Sequence, residues 1–144
     1  YQAMSHTIKI LLLLLLSLSI MPTWAADDEE AEVPPQAIYY QFPEKPPIRV
    51  DFSRQSNKEV KLLQVEVAVM SHDQEIITLA ETNLPMLQHS LRRLLSKQSL
   101  ESVSSLAGRE ALQEKALMTI NTILKEESGK DGIEGLFFTS FILQ

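Results

Sequence analysis

The sequence predicts an α+β fold, in which two long helices pack on a small antiparallel or mixed sheet. Three patterns lead to this prediction. Residues 60–71 carry an unbroken apolar face at every second position and a mixed second face, as a strand with one buried face does. Residues 75–97 and 105–127 carry leucine and isoleucine at intervals of three and four, which is the spacing of one helix face. Residues 133–144 are again apolar and rich in phenylalanine, as is typical of a buried strand.

Length and composition exclude several classes of function. The chain has 144 residues, a net charge of −6 and no cysteine. This length is typical of one domain. The acidic balance argues against nucleic-acid binding, which needs a basic surface to displace counterions. The absence of cysteine excludes disulfides, thiolate metal ligands and a cysteine nucleophile.

Residues 1–25 predict a signal peptide or a short N-terminal anchor. Lys9 precedes an apolar run at 10–21 that includes six consecutive leucines. This run is shorter than the roughly 20 residues that a membrane-spanning helix needs. Thr23 and Ala25 fit the small or tolerated residues that signal peptidase accepts, with cleavage after Ala25. With either a signal peptide or an anchor, we expect the rest of the chain to be exported.

Residues 26–36 predict an acidic linker, because they lack apolar periodicity and include Pro34 and Pro35. Two interpretations of the linker stay open. It is a flexible tether that holds the following domain away from a membrane, or an ordinary disordered terminus without a role of its own. Residues 37–144 then form a single domain.

The domain begins with two short predicted strands, at 37–42 and 48–52. Prolines at 43, 46 and 47 flank both stretches, which favours positions at the edge of the sheet. The strand at 60–71 is the clearest one. Its unbroken apolar face and its mixed second face predict a central strand, with helices on one side and a partly open surface on the other.

Pro85 interrupts the first helical pattern. We expect one helix with a kink at Pro85, and the alternative is a helix that begins there with Asn83 near its cap. Residues 99–103 predict a short link or a single turn. Gly129 is the expected C-cap of the second helix.

Strict alternation divides the closing strand at 133–144 into two faces. One face carries Phe137, Thr139, Phe141 and Leu143, and the other carries Leu136, Phe138 and Ile142. Both faces are largely apolar, which predicts an interior strand or an edge that another subunit covers. The expected neighbour of this strand is the one at 60–71.

The sequence supplies no catalytic, metal or cofactor site that we can assemble, so we predict a non-enzymatic protein without a cofactor. His72 and Asp73 lack a third metal ligand. His89 and Ser90 are adjacent on a helix and therefore point in different directions. The glycines are too scattered to form a phosphate-binding loop.

The densest basic patch consists of Arg92, Arg93 and Lys97, and the last two are one helical turn apart. These three residues are our candidates for contact with an acidic partner or an anionic lipid headgroup. The pattern alone favours the alternative of a solvated helix face without a partner.

Four stretches, taken in order, give the chain a resemblance to a known family. They are the lead-in IYYQFPEKPPIRVDF, the strand VKLLQVEVAV, the helical region 83–124 and the closing LFFTSFILQ. The helical region matches the family pattern at Pro85, Leu94-Leu95-Ser96, Gly108-Arg109, Leu112, Ile120-Asn121 and Leu124. On these residues the chain resembles the flagellar basal-body-associated FliL family.

The chain departs from that family at two points. Members of the family usually carry a full N-terminal transmembrane helix, whereas the run at 10–21 is shorter and resembles a signal peptide, as in a divergent paralogue. Ser140 also stands where an acidic residue is common in the family.

The resemblance implies a stomatin-like domain that acts in the periplasm, associated with the inner membrane at the flagellar basal body. It implies stator and basal-body partners, assembly into a homo-oligomer, and support of stator engagement, flagellar rotation, motility and chemotaxis. The alternative is a periplasmic module that binds a lipid or another hydrophobic ligand. A pocket lined by phenylalanines would favour that alternative, and a well-packed core would oppose it.

Overall fold

Residues 34–56 and 59–144 are described by the computed structural model of the chain. The predicted signal peptide or anchor at 1–25 and the predicted linker up to Val33 lie outside the described residues and stay predictions. Residues Pro34–Gln144 form one compact unit.

The sheet is built around one long central strand. This strand, β3, spans Leu62–Ser71. β1 (Ile38–Gln41) and β2 (Ile48–Asp51) pair with it one after the other along the same edge. β4 (Gly135–Leu143) pairs along the other edge, and all three pairings are antiparallel. The predicted central position of β3 and the predicted edge positions of β1 and β2 are confirmed.

Four helices connect β3 to β4. They are α1 (Gln74–Thr82), α2 (Leu84–Ser96), α3 (Leu100–Ser104) and α4 (Leu106–Ser128). The α+β class is confirmed, with α3 as the predicted single turn. α4 is the predicted second helix, and Gly129 ends it with a left-handed φ of 77°.

The first helical stretch is two helices, so the expectation of one kinked helix is wrong. α1 ends and α2 begins at Asn83, whose side-chain amide donates to the Leu79 carbonyl at 2.8 Å. Pro85 then lies in the first turn of α2. A backbone N–H in this turn has no intrahelical acceptor, so proline, which lacks the N–H, costs no hydrogen bond there. The helix start that we considered as the alternative is the correct one.

The hydrophobic core lies between one face of the sheet and the helices. β3 contributes four fully buried side chains, α2 contributes three, and α4 contributes four. They are Leu63, Val65, Val67, Val69, Leu87, Leu91, Leu95, Leu112, Ala116, Ile120 and Leu124. The period-two and helical spacings therefore identified the buried faces of these three elements correctly.

β4 carries a β-bulge that the sequence prediction missed. Phe138 is opposite Val67 and Ser140 is opposite Glu66, so Thr139 is an extra residue in the ladder. The bulge reverses the alternation within the strand. Leu136, Phe138, Phe141 and Leu143 pack on the core, and Phe137 and Ile142 are exposed. The predicted grouping of Phe137 with Phe141 is therefore wrong.

Within the described residues, β4 pairs with β3 alone. It is thus an edge strand, and the predicted interior position is wrong for this part of the chain. The other alternative, an edge that another subunit covers, stays a prediction.

Candidate functional site

The candidate site is a cleft between β2 and α2. α2 buries Leu87, Leu91 and Leu95 against the core, which leaves the opposite side of the helix exposed. The cleft beside that exposed side has a volume of about 360 Å³. It is lined by Arg49, Val50, Asp51, His89, Arg92, Arg93 and Ser96, and we call it the basic cleft.

The structure brings together two of the three predicted contact residues. Arg92 and Arg93 both line the basic cleft. Lys97 does not line it; it is the exposed C-cap residue of α2. Arg49, His89 and Ser96 belong to the cleft and were missed. Arg49 is 43 positions before Arg92, and only the packing of α2 beside β2 places the two near one cleft.

The basic cleft is positively charged on a protein whose net charge is −6. Three arginines line it, Arg49, Arg92 and Arg93, and none of them forms an ion pair with a carboxylate of the described residues. The Nε of Arg49 donates to the side-chain oxygen of Gln64 at 3.1 Å. The charge of the cleft is therefore complementary to that of an anionic group.

Asp51 is the acidic residue at the basic cleft. Its carboxylate accepts a hydrogen bond from the backbone N–H of Ser53 at 2.7 Å. The hydrogen bonds with Ser53 lower the pKa of Asp51 below its usual value. Asp51 is thus ionised at neutral pH, and its carboxylate is directed toward its own chain.

His72 and Asp73, considered above as a metal pair, have structural roles. His72 contacts the Glu134 carboxylate through both its backbone N–H, at 2.8 Å, and its ring Nδ1, at 2.5 Å. The Asp73 carboxylate accepts from the Glu75 N–H at 2.8 Å and caps α1. Among residues 34–56 and 59–144, no group of three or more histidine, aspartate or glutamate side chains is placed to hold a metal ion.

The other main clefts of the described region lie on helix surfaces. Two flank α4, with volumes of about 390 and 500 Å³, and one lies near Pro85 and His89. No phenylalanine of the described residues lines any of these or the basic cleft. Together with the buried core, these positions oppose a phenylalanine-lined pocket between sheet and helices.

The sheet face that no described helix covers carries an aromatic pair. Tyr39 of β1 is 63% exposed and Phe137 of β4 is 38% exposed. Their ring centroids are 6.2 Å apart, within the range of an aromatic contact.

In the part of the chain that the structure describes, no helix is long and apolar enough to cross a membrane.

Comparisons with known proteins identify a family for most of the chain. Residues 41–144 match the family model described as flagellar basal body-associated protein FliL. The matched range includes β2, β3, β4, all four helices and the basic cleft. A search of curated proteins returned no match.

Proposed function

The chain belongs to the FliL family of flagellar basal-body-associated proteins, and we propose that it acts in the periplasm as a non-enzymatic protein of the flagellar motor. In this role it supports stator engagement, and through it flagellar rotation and motility. The family match over residues 41–144 is the observation on which this proposal rests.

The basic cleft supports a role in protein binding. Arg92 and Arg93 are exposed at the cleft and have no carboxylate partner among the described residues. An arginine without an internal partner loses little by pairing with an acidic group of another protein. We therefore propose that Arg92 and Arg93, with Lys97 at the end of α2, contact the stator or another basal-body component.

The free edge of β4 supports assembly into a homo-oligomer. β4 contains no charged residue, and within the described residues its outer edge is unpaired. Charged residues are a common protection against edge pairing, and β4 lacks them. The exposed Tyr39 and Phe137 on the neighbouring sheet face provide apolar surface for the same contact.

We propose a location at the periplasmic side of the inner membrane, and the N-terminal sequence supports the periplasmic part of this proposal. The apolar run at 10–21 predicts export, whether it is cleaved or retained as an anchor. The proposed location places residues 37–144 where basal-body and stator proteins present their periplasmic parts.

The alternative function, binding of a lipid or another hydrophobic ligand in the periplasm, has less support. Such a module needs an apolar cavity of several hundred cubic ångströms that encloses most of its ligand. In the described residues, the space between sheet and helices is filled by buried leucine, valine and isoleucine side chains.

Motility under load tests the proposed function. We would compare a strain that lacks this chain with its parent, in thin and in viscous medium. The expected result is a swimming defect that grows with viscosity, because stators must hold against a larger load. Equal swimming speeds of the two strains in both media would contradict a role in stator engagement.

A further inference from the structure

The outer edge of β2 offers unpaired backbone groups to the basic cleft. No described strand pairs along this edge. Phe52 donates its backbone N–H to the Lys61 carbonyl at 2.7 Å, in register with the pairs that Ile48 and Val50 form with β3. In an antiparallel ladder, only alternate residues bond to the partner strand. The backbone groups of Arg49 and Asp51 therefore point away from β3, toward the free edge.

The hydrogen bonds on the opposite side of β3 support the same alternation. Leu62, which lies opposite Asp51, exchanges hydrogen bonds with Gln144 at 2.6 and 2.9 Å. The backbone groups of Leu62 thus point toward β4, away from β2. It follows that Asp51 has no backbone partner on β3.

The helix α2 forms the second wall of the basic cleft. Arg92, Arg93 and Ser96 line it from the helix, and Arg49 lines it from the strand. A free strand edge beside a helix is an arrangement in which an extended peptide can add as a further strand. A four-residue edge such as that of β2 accommodates about 13 Å of extended peptide, at about 3.3 Å for each residue.

The charges indicate which kind of peptide fits. Arg92 and Arg93 present positive charge from the helix wall, whereas the whole chain has a net charge of −6. The guanidinium of Arg49 contacts Gln64 on the exposed face of the sheet. Acidic side chains of an added strand would pair with the guanidinium groups of Arg92 and Arg93. A basic peptide would be repelled by the same groups.

We propose that the basic cleft binds an extended acidic segment of a partner protein, which adds as a strand to the free edge of β2. The backbone of Arg49 and Asp51 supplies the strand hydrogen bonds, and Arg92 and Arg93 select acidic side chains. This inference rests on the proposed partner-binding role and specifies its chemistry. It is tested in solution with peptides, so its failure is distinguishable from a failure of the motility test.

The first experiment measures binding of a labelled peptide to the full chain by fluorescence anisotropy. The probe is an octapeptide that alternates glutamate and threonine, and its lysine–threonine counterpart is the charge control. We expect the acidic probe alone to bind, and to bind more weakly as salt is added. The double variant Arg92→Glu/Arg93→Glu should weaken binding about tenfold or more, because two ion pairs become repulsions.

A matched variant controls for net charge. Lys115→Glu/Lys125→Glu makes the same change in charge on α4, and neither lysine lines the basic cleft. We expect this variant to bind the acidic probe with an affinity within about twofold of the unaltered chain, because distant exposed charges are largely screened. An equal loss of affinity for the acidic probe in both double variants would overturn the assignment of the site to the basic cleft.

The second experiment tests strand addition itself. On binding, the NMR amide signals of Arg49 and Asp51 should shift more than those of Ile48 and Val50, whose backbone groups already bond to β3. The probe can be N-methylated either at its odd or at its even residues. One of these two peptides should no longer bind, because it lacks the N–H groups that face β2.

Three results would overturn the proposal. The first is no binding of the acidic probe at millimolar concentration. The second is unchanged binding of both N-methylated peptides. The third is binding of phosphatidylglycerol vesicles through Arg92 and Arg93 without binding of the peptide, which would assign the arginines to a lipid surface.

Discussion

The side-chain amide of Asn121 forms hydrogen bonds with both backbone groups of Ile133. Its Oδ1 accepts from the Ile133 N–H at 2.9 Å, and its Nδ2 donates to the Ile133 carbonyl at 2.8 Å. The same Oδ1 accepts from the Gly132 N–H at 3.2 Å. A single side chain of α4 thus pairs with the segment that leads into β4, as a neighbouring strand would.

Replacing Asn121 should therefore destabilise the domain markedly. In Asn121→Ala, three hydrogen bonds are lost and partly buried backbone groups lose their partners, which should lower the free energy of unfolding by about 2–3 kcal/mol. Urea denaturation measures this change. Thr122→Ala, at the exposed neighbouring position, is the matched control and should change stability by about 0.5 kcal/mol or less. Equal effects of the two substitutions would contradict the role of Asn121.

Gly108 should not tolerate a larger side chain. A Cβ atom at this position would lie 2.0 Å from the carbonyl oxygen of Ser102, in α3. Alanine in a helix normally stabilises a protein relative to glycine by about 0.5–1 kcal/mol. We expect the opposite sign here, with Gly108→Ala lowering the free energy of unfolding by about 1–3 kcal/mol, because the backbones of α3 and α4 must move apart. A stabilised Gly108→Ala variant in thermal or urea denaturation would show that the two helices do not approach so closely.

Two phenylalanines of β4 test the bulge at Thr139. Phe141 packs on the core, and the Arg109 guanidinium lies 4.8 Å from its ring centroid. Phe137 is exposed on the opposite face. We expect Phe141→Ala to lower the free energy of unfolding by about 2–3 kcal/mol, and Phe137→Ala by about 1 kcal/mol or less. In a strand without a bulge, strict alternation would place both rings on one face. Similar decreases in the free energy of unfolding of the two variants would therefore favour a strand without a bulge.

The contact of the Glu134 carboxylate with His72 should contribute to stability in a defined range of pH. Hydrogen bonds from the ring and the backbone of His72 lower the pKa of Glu134 below its usual value. A carboxyl group with a depressed folded-state pKa contributes stability that is complete above its unfolded pKa of about 4.3, and that is lost as the pH falls through the folded pKa.

The difference in unfolding free energy between the unaltered chain and Glu134→Gln should therefore shrink as the pH is lowered from about 5 to about 3. Urea denaturation at a series of pH values in this range measures the difference. A difference that stays constant down to the lowest pH would mean that the Glu134 carboxylate is not stabilised in the folded protein.

The sequence predicted the elements of the fold well, because burial of one face imposes a period on each of them. The apolar positions of β3 and α4 identified the core directly. The bulge in β4 was missed because both sets of alternate residues in this strand are largely apolar. The sequence therefore does not show where an extra residue reverses the alternation. The break at Asn83 was misjudged because Pro85 fits both a kink and a helix start, and the local sequence does not distinguish the two.

The site was predicted only in part, for a different reason. Arg92 and Arg93 are adjacent in the sequence and were found as a cluster. Arg49 joins them only because β2 takes an edge position beside α2, and pairing of distant elements has no local signature. The free edge of β2 likewise depends on the order of strands in the sheet.

Co-isolation with flagellar basal bodies tests the central claim most directly. Basal bodies would be purified with their stators from cells that produce the unaltered chain, the Arg92→Glu/Arg93→Glu/Lys97→Glu variant, or the Lys115→Glu/Lys125→Glu control, each quantified by immunoblot. We predict that the unaltered chain and the control are retained, and that the triple variant is lost although it folds normally by circular dichroism. Absence of the unaltered chain from the basal bodies would contradict its proposed action at the flagellar motor.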